Sequence, residues 1–332
     1  MTNSAELLNL VEAFVGTEVL VVGDLIVDHY IWGGVNRISP EAPVVVVDVE
    51  KEERRLGGAA NVAHNLCALG AAVSICGVVG DDLEGRELTD RMERMKIDTK
   101  GVFVDRSRPT TIKTRIVAHA QQVVRVDREC RLPLSEAFQE SISAEVRAQF
   151  ARVKSIAVSD YGKGVVTPLI FKRLEGQAGI NGVPVVVDPK DPNFLNYTGA
   201  TVIKPNRKEA EQASGMKIAT RDDAVGVGHK LLSLWNTDFV LITLGEKGMV
   251  LVSRLDEYSE PVAIDTLAQE VYDVSGAGDT VSAVFTLALA AGGSPRHAAE
   301  LANLAAGIVV AEVGTVAVEK TELISRLREF AV

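Results

Sequence analysis

The chain has 332 residues, with 35 Lys and Arg against 45 Asp and Glu, a formal net charge of −10. Apolar residues make up 47% and charged residues 24%, the balance of a globular chain with a sizeable core, which excludes extended disorder. The acidic surplus excludes a general nucleic-acid binder, which needs a cationic surface, but leaves room for a local basic pocket that takes a phosphorylated metabolite.

The first 16 residues read as an amphipathic segment. No Lys or Arg precedes Arg37, so the positive start of a secretory signal is missing. No run of about 18 apolar residues occurs, so no membrane span is expected and the cytoplasm is the expected location. Cys67, Cys76 and Cys130 are read as reduced, packed thiols.

Valine-rich runs at 18–23, 73–79, 155–160, 184–188, 201–204 and 239–244 read as buried strands. Helical patterns at 59–69, 83–95, 135–153 and 222–235 lie between them. Fully apolar strands alternating with helices imply an α/β fold, a parallel sheet covered on both faces. Two stretches break the rhythm. Residues 26–50 carry Gly33, Gly34, Pro40 and Pro43 with no room for a long helix, and residues 101–127 give three short strand-like runs (101–104, 111–118, 123–127). They predict a small antiparallel sheet inserted twice, a discontinuous β lid over about 26–50 and 101–127 of one domain spanning 1–332. A lid sheet needs a covered face, and the apolar 44–47 run suggests a homodimer joined through it. After Asp273 the helices at 280–291 and 295–313 are apolar nearly all round and belong in the core.

The strongest local signal is Asp273-Val-Ser-Gly-Ala-Gly-Asp279. Glycines at a helix start let a ligand approach the backbone, and the N–H groups of Gly276, Ala277, Gly278 and Asp279 would form an anion hole. An acid beside such a hole can take an alcohol proton while the amides stabilise a transferring phosphoryl group. The segment alone equally allows a carboxylate that merely complements the helix dipole. Leu56-Gly57-Gly58-Ala-Ala-Asn61 reads either as a tight turn into a core helix or as a close approach to a polyol, with Asn61 bonding hydroxyls. Asn206 and Glu209 share a face at a helix start, and read as a capping box or as organisers of Mg²⁺ near a nucleotide phosphate. There is no phosphate-binding G-x-x-x-x-G-K-[ST] loop, no dinucleotide glycine fingerprint after the first strand, no paired metal-binding histidines and no nucleophile elbow.

Taken together, these segments resemble the ribokinase-like (PfkB) family of carbohydrate kinases. The Gly57-Gly58-Ala-Ala-Asn61 and Asp273-x-Ser-Gly-Ala-Gly-Asp279 signatures stand in the family's order, with Asn206-x-x-Glu209 between them. The resemblance implies a Rossmann-type sheet with a β lid, ATP and Mg²⁺ as cofactors, and Asp279 as catalytic base with Gly276, Ala277 and Gly278 in the anion hole. It implies Asn206 and Glu209 on the Mg²⁺–ATP side, with Glu209 reaching the metal through water. Thr243, Gly245 and Gly248 fall in the nucleotide-binding strand-turn, and Asn303 and Gly307 beside the adenine. Asp273 and Ser275 are its candidates for a monovalent cation such as K⁺.

Within the family, Gly23-Asp24-x-x-x-Asp28, Arg37-Ile-Ser-Pro-Glu-Ala-Pro43, Gln121-Gln122-x-x-Arg125-x-Asp127, Ser159-Asp160-Tyr-x-Lys163 and Asp188-Pro-Lys190 resemble the branch acting on D-glycero-D-manno-heptose 7-phosphate at the anomeric hydroxyl. Another sugar or sugar-phosphate kinase of the family is the alternative. The missing H-x-G-H motif implies the form without a nucleotidyltransferase domain, and His119 stands where the pattern has Arg. Asp24 and Asp28 are expected to accept from sugar hydroxyls. Asp160 and Asp188 end strands, where ligands bind in open α/β sheets. Lys163, Lys190 or Arg37 would meet the 7-phosphate, and Gly57, Gly58, Asn61 and Gln122 complete the expected sugar site.

Overall fold

The computed structural model describes residues 4–118, 121–191, 193–255, 260–268, 271–312 and 314–329. Its elements in chain order are α1 (Ser4–Glu12), β1 (Glu18–Gly23), β2 (Leu25–Ile38), β3 (Val45–Gly58), α2 (Ala59–Ala68), β4 (Ala72–Gly80), α3 (Leu83–Arg94) and β5 (Asp98–Asp105). Next come β6 (Thr111–Ala118), β7 (Gln121–Arg128), α4 (Glu136–Gln149), β8 (Ser155–Ser159), α5 (Pro168–Asn181), β9 (Val185–Asp188), β10 (Val202–Ile203), α6 (Arg207–Ser214) and α7 (Arg221–Trp235). The last are β11 (Phe239–Thr243), β12 (Met249–Ser253), β13 (Val262–Ile264), α8 (Ala277–Ala290), α9 (Pro295–Val309) and α10 (Lys320–Glu329).

Nine strands form one sheet in the order β13-β12-β11-β10-β9-β8-β1-β4-β5. All pairs from β11 to β5 are parallel, while β12 and β13 are antiparallel additions at one edge. The apolar character of the parallel strands follows from burial on both faces. In β1, Val19 and Val21 face one core, with α1, α2, α3, α8, α9 and α10, while Leu20 and Val22 face the other, with α4, α5, α6 and α7. The chain builds outward from β1 through β4 to β5, then returns to β8 and builds the other way. The direction reverses between β1 and β8, and a crevice outside the carboxyl ends of such strands is where open α/β sheets bind ligands. Gly23 closes β1 there because any side chain would collide: a Cβ would stand 2.0 Å from the Ser159 carbonyl oxygen.

A second sheet has the order β3-β2-β6-β7, with β2 and β3 a long antiparallel hairpin and β2 parallel to β6. It differs from expectation in three ways. The expected sheet is antiparallel, whereas β2 and β6 run parallel, because the chain passes through α2, β4, α3 and β5 of the main fold between them. The 101–104 run lies in β5, at the edge of the main sheet beside β4, not in the small sheet. Alternation along a half-exposed strand says which face is covered but not which sheet supplies the partner. Gly57 and Gly58 end β3 opposite Ile26 and Leu25 and pass directly into α2, so they are not a separate turn.

Candidate active site

Asp24 follows β1 and is 1% exposed. Its carboxylate accepts the backbone N–H groups of Tyr161 (2.8 Å), Lys163 (3.0 Å) and Val165 (3.2 Å). Burial raises its proton affinity and the three amides pull it down, with a net rise. The residue expected to hold sugar hydroxyls is thus a clamp that ties the loop after β8 to the end of β1. Asp160 is similarly committed. It accepts from the Gly162 amide (2.7 Å), Asn193 Nδ2 (2.7 Å) and the Tyr197 hydroxyl (2.6 Å). Burial and the neighbouring charge of Asp24 push its carboxyl up to about 6. Together the two carboxylates fix the backbone that carries Tyr161.

Asp279 lies in the first turn of α8, after Gly276, which adopts φ +82°. A Cβ at Gly276 would meet Thr315 Cγ2 at 2.8 Å and Asn61 Nδ2 at 2.9 Å, so the turn needs glycine for both conformation and space. The Asp279 carboxylate is 3% exposed. Its Oδ2 accepts from Asn61 Nδ2 at 2.9 Å and its Oδ1 from the Tyr161 hydroxyl at 2.7 Å. Burial pushes its carboxyl up to about 7, with the charges of Asp188 and Asp28 adding to the rise and the two hydrogen bonds opposing it. Asn61, expected to face hydroxyls, instead orients this carboxylate, and is itself held by Asn65. Among the described residues, the N–H groups of Gly276, Gly278 and Asp279 have no acceptor, whereas that of Ala277 donates to the Val274 carbonyl. The anion hole therefore has three open donors rather than four.

Behind the turn, Lys204 and Asp188 follow β10 and end β9. The Lys204 ammonium, 2% exposed, lies 3.0 Å from Asp188, which also accepts from Ser282 Oγ at 3.1 Å. Burial raises the Asp188 carboxyl and Lys204 opposes the rise. A Cβ at Gly278 would stand 3.6 Å from Lys204 Nζ and 3.9 Å from Asp188, so this pair borders the open amides. Asn206 and Glu209 form both halves of a capping box on α6, each bond 3.0 Å. The other Glu209 oxygen accepts from Lys190 Nζ at 2.7 Å, which takes Lys190 away from the sugar side.

Thr243 ends β11 and bridges to Asn206. Gly245 and Gly248 form the turn into β12, and Asn303 on α9 donates to the Asp265 carbonyl at 2.8 Å. Gly307, one turn further along α9, lets the backbone of Leu267 and Ala268 approach it. Asp273 uses both carboxylate oxygens on the amides of Ser275 and Gly314. Among the described residues no group of three or more His, Cys, Asp or Glu gathers as a metal cage. The Asp188 and Glu209 carboxylates, each paired with a lysine, are oxygen donors of the kind that a hydrated Mg²⁺ takes through its waters.

The small sheet supplies the opposite wall. Asp28 on β2 is ion-paired with Arg115 on β6, and Gly57 makes room for its carboxylate. Lys113, opposite Asp28 in the β2–β6 register, holds its ammonium 4.4 Å from the centre of the Tyr161 ring. Lys163 pairs with Glu129 at 2.5 Å. Gln122 is exposed on β7. Arg37 is also exposed and, among the described residues, is ion-paired only with Asp48, 3.9 Å away. It lies nine residues beyond Asp28 on β2, about 30 Å along the strand, and so does not reach this site. His119 lies outside the described residues.

Tyr161, Lys204, Ser282, Lys113 and Arg115 were not expected in the site. Tyr161 stands inside a motif already singled out, and Lys204 two residues before Asn206. Lys113 and Arg115 carry the one signal that could have found them, two cations at strand spacing on one face of β6.

Comparison with known proteins bears on this geometry. The chain is 47% identical over 306 residues to the Bifunctional protein HldE of Pelobacter propionicus, covering 92% of this chain and 62% of that protein. It is 45% identical over 319 residues to the Bifunctional protein HldE of Desulfatibacillum aliphaticivorans, covering 96% and 65%. The chain thus spans less than two thirds of the length of these relatives. Its fold is similar to that of an Arabidopsis thaliana ribokinase complexed with ribose and ATP, with TM-score 0.76, 19% identity and coverage of 95% and 99%. Phosphofructokinase-2 from Escherichia coli is similar too, with TM-score 0.76, 15% identity and coverage of 96% and 100%. Residues 17–322, which include both Asn61 and Asp279, match the model of the pfkB family carbohydrate kinases. The chain belongs to the pfkB family of carbohydrate kinases.

Proposed function

We propose that this carbohydrate kinase transfers the γ-phosphoryl group of ATP to the anomeric hydroxyl of D-glycero-D-manno-heptose 7-phosphate, giving the 1,7-bisphosphate and ADP for ADP-heptose and lipopolysaccharide synthesis. One observation carries the phosphoryl-transfer part. A buried carboxylate whose proton affinity is pushed up to about 7 stands beside three open backbone donors at the sheet's crossover point. The heptose part is supported by the motif pattern around Asp24, Asp28, Gln122 and Lys163 and by the cations of the small sheet.

Asp279 takes the proton of the anomeric hydroxyl, and the sugar oxygen forms its bond to the γ-phosphorus as the bond to the β–γ bridging oxygen breaks. Asn61 and Tyr161 hold the carboxylate so that a lone pair can face the substrate. The N–H groups of Gly276, Gly278 and Asp279 face the transferred group, and Lys204 adds positive charge beside them. Mg²⁺, when bound, neutralises charge on the phosphates, and Glu209 and Asp188 are the carboxylates available to its waters. In this reading Asn206, Thr243, Gly245, Gly248, Asn303 and Gly307 line the nucleotide, and Asp273 and Ser275 are the residues that would hold a monovalent cation such as K⁺, which would supply positive charge near the open amides. The reading includes a cytoplasmic location, consistent with no helix among the described residues being long and apolar enough to cross a membrane. It also includes a homodimer through the small sheet, whose Val44, Val45 and Val49 are exposed, and sedimentation velocity tests that part.

Coupled ADP release with heptose 7-phosphate, fructose 6-phosphate, ribose and a keto-deoxy sugar acid, with and without K⁺, tests the activity. The highest kcat/KM is expected with heptose 7-phosphate. Preference for another sugar replaces the substrate, and no ADP with any sugar overturns the kinase reading.

A further inference from the structure

Asn61 meets Asp279 through an amide with two ends, an NH2 that donates and a carbonyl that accepts. The carboxyl it faces is pushed up to about 7, so near neutral pH the proton is on about as often as it is off. An amide free to turn would serve both forms, giving its NH2 to the carboxylate and its carbonyl to the carboxylic acid. An amide held with its NH2 toward Asp279 favours the carboxylate alone. Whatever holds Asn61 therefore sets how much of the protein carries an ionised Asp279.

Asn65 stands one turn further along α2, on the same face. Asn61, Asn65 and Thr280 are fully buried. The Asn65 NH2 donates to the Asn61 backbone carbonyl at 2.9 Å and lies 3.3 Å from Asn61 Oδ1. Asn65 Oδ1 accepts from the Thr280 hydroxyl at 3.0 Å and from the Val318 backbone N–H at 3.3 Å. Two of these partners cannot change role, because a backbone N–H only donates and a backbone carbonyl only accepts. The Val318 N–H on one side and the Asn61 carbonyl on the other leave Asn65 a single direction. Its NH2 then occupies Asn61 Oδ1, and the Asn61 NH2 is left for Asp279. Turning Asn61 would set one NH2 against the other and a carbonyl against the carboxylate. The direction of the side-chain amide beside Asp279 is thus dictated by main-chain groups from α2 and from the segment before α10.

We propose that Asn65 is a positioning residue of this site: held by the Val318 N–H, the Thr280 hydroxyl and the Asn61 carbonyl, it fixes the direction of the Asn61 amide so that Asn61 donates to Asp279 whether or not the carboxyl carries a proton. The proposal builds on the reading of Asp279 as the base and is independent of which sugar is phosphorylated.

The test follows two quantities against pH. One is the carboxyl infrared band that Asp279→Asn abolishes, which reports the titration of Asp279 itself. The other is kcat/KM for ADP release with whichever sugar gives the highest value. Asn65→Leu keeps the volume and removes the relay. It should move both titrations up by about one pH unit, so that kcat/KM falls about tenfold at pH 6 and less than about twofold at pH 9. A loss of packing alone would lower the rate by the same factor at every pH. In an Asn61→Leu background the titration should already have moved, and adding Asn65→Leu should move it no further. An infrared titration that stays in place, or one that moves again by as much in the Asn61→Leu background, overturns the proposal. If the infrared titration moves as expected while the kcat/KM profile keeps its shape, the role of Asn65 stands and Asp279 is not the base. Neutron diffraction from wild-type crystals at pH 6 and pH 9 reads the same point without a variant. The Asn61 NH2 should face Asp279 at both values, and an amide turned around at pH 6 overturns the proposal.

Discussion

Replacing Asp279 by Asn should cost turnover and add stability, and the two effects can be measured separately. Burial carries the Asp279 carboxyl from the usual 3.8 to about 7. The folded chain then binds this proton more tightly than the unfolded chain, so folding stability falls as pH rises from about 4 to 7 and stays low above that. Three pH units at about 1.36 kcal/mol each bound the loss at about 4 kcal/mol. Asn removes the charge but cannot accept from both Asn61 and the Tyr161 hydroxyl, which returns about 1–3 kcal/mol. Asp279→Asn should therefore be the more stable protein at pH 8.5, and should be equal or less stable at pH 4.5, a swing of about 3 kcal/mol. Urea denaturation of both proteins at the two pH values reads the swing, while coupled ADP release should show turnover reduced by about three orders of magnitude or more. Identical pH dependence in the two proteins would mean that Asp279 does not titrate as a buried, strained carboxylate. Near-normal turnover would remove it as the base.

Tyr161→Phe deletes a donor that favours the ionised carboxylate, so the acidic limb of kcat/KM against pH should move up by about one pH unit; an unmoved limb refutes the role of the hydroxyl. Gly276→Ala forces a side chain into φ +82° and against Thr315 and Asn61, and is expected to destabilise by about 1–3 kcal/mol and slow turnover at least about tenfold, read by melting and ADP release. Lys204→Met strands Asp188 without its counter-ion and should destabilise by about 3–5 kcal/mol at pH 8, and by progressively less as the pH is lowered, because burial already raises the Asp188 carboxyl and loss of Lys204 raises it further; a loss that does not change with pH would show that the pair is not what Lys204 supports.

How much the sequence discloses depends on the range of the interaction. Strand β1 is legible to the residue, because a run of valines buried on both faces leaves no other reading. The glycine turn before Asp279 is legible for the same local reason. Strands β12 and β13 have no helix between them among the described residues and escape a reading built on strand–helix alternation. Strand β5 shows an irregular burial pattern, with Gly101 and Asp105 buried and Lys100 and Val104 exposed, and nothing in it tells which sheet will claim it. The roles of Asp24 and Asn61 were the hardest to foresee. Both are acceptor- or donor-rich residues beside a ligand crevice, and both turn to partners more than a hundred positions away. Which of two chemically adequate partners a polar group chooses is decided by packing across the crossover, and a local motif does not contain that information. At Asn206 and Glu209 the local reading was complete: the capping box formed, and Lys190 was added from a neighbouring strand end.

The two bonds on Asp279 close loops of 218 and 118 residues, since Asn61, Tyr161 and Asp279 come from an early, a middle and a late stretch of the polypeptide. During synthesis the first two stretches leave the ribosome long before the third. A nascent or prematurely terminated chain can fold its early strands and still hold no aligned proton acceptor. On the proposed mechanism, phosphate-transferring capacity thus waits until the stretch that carries Asp279 has been made, so a polypeptide cut short before it should neither consume nor waste nucleotide.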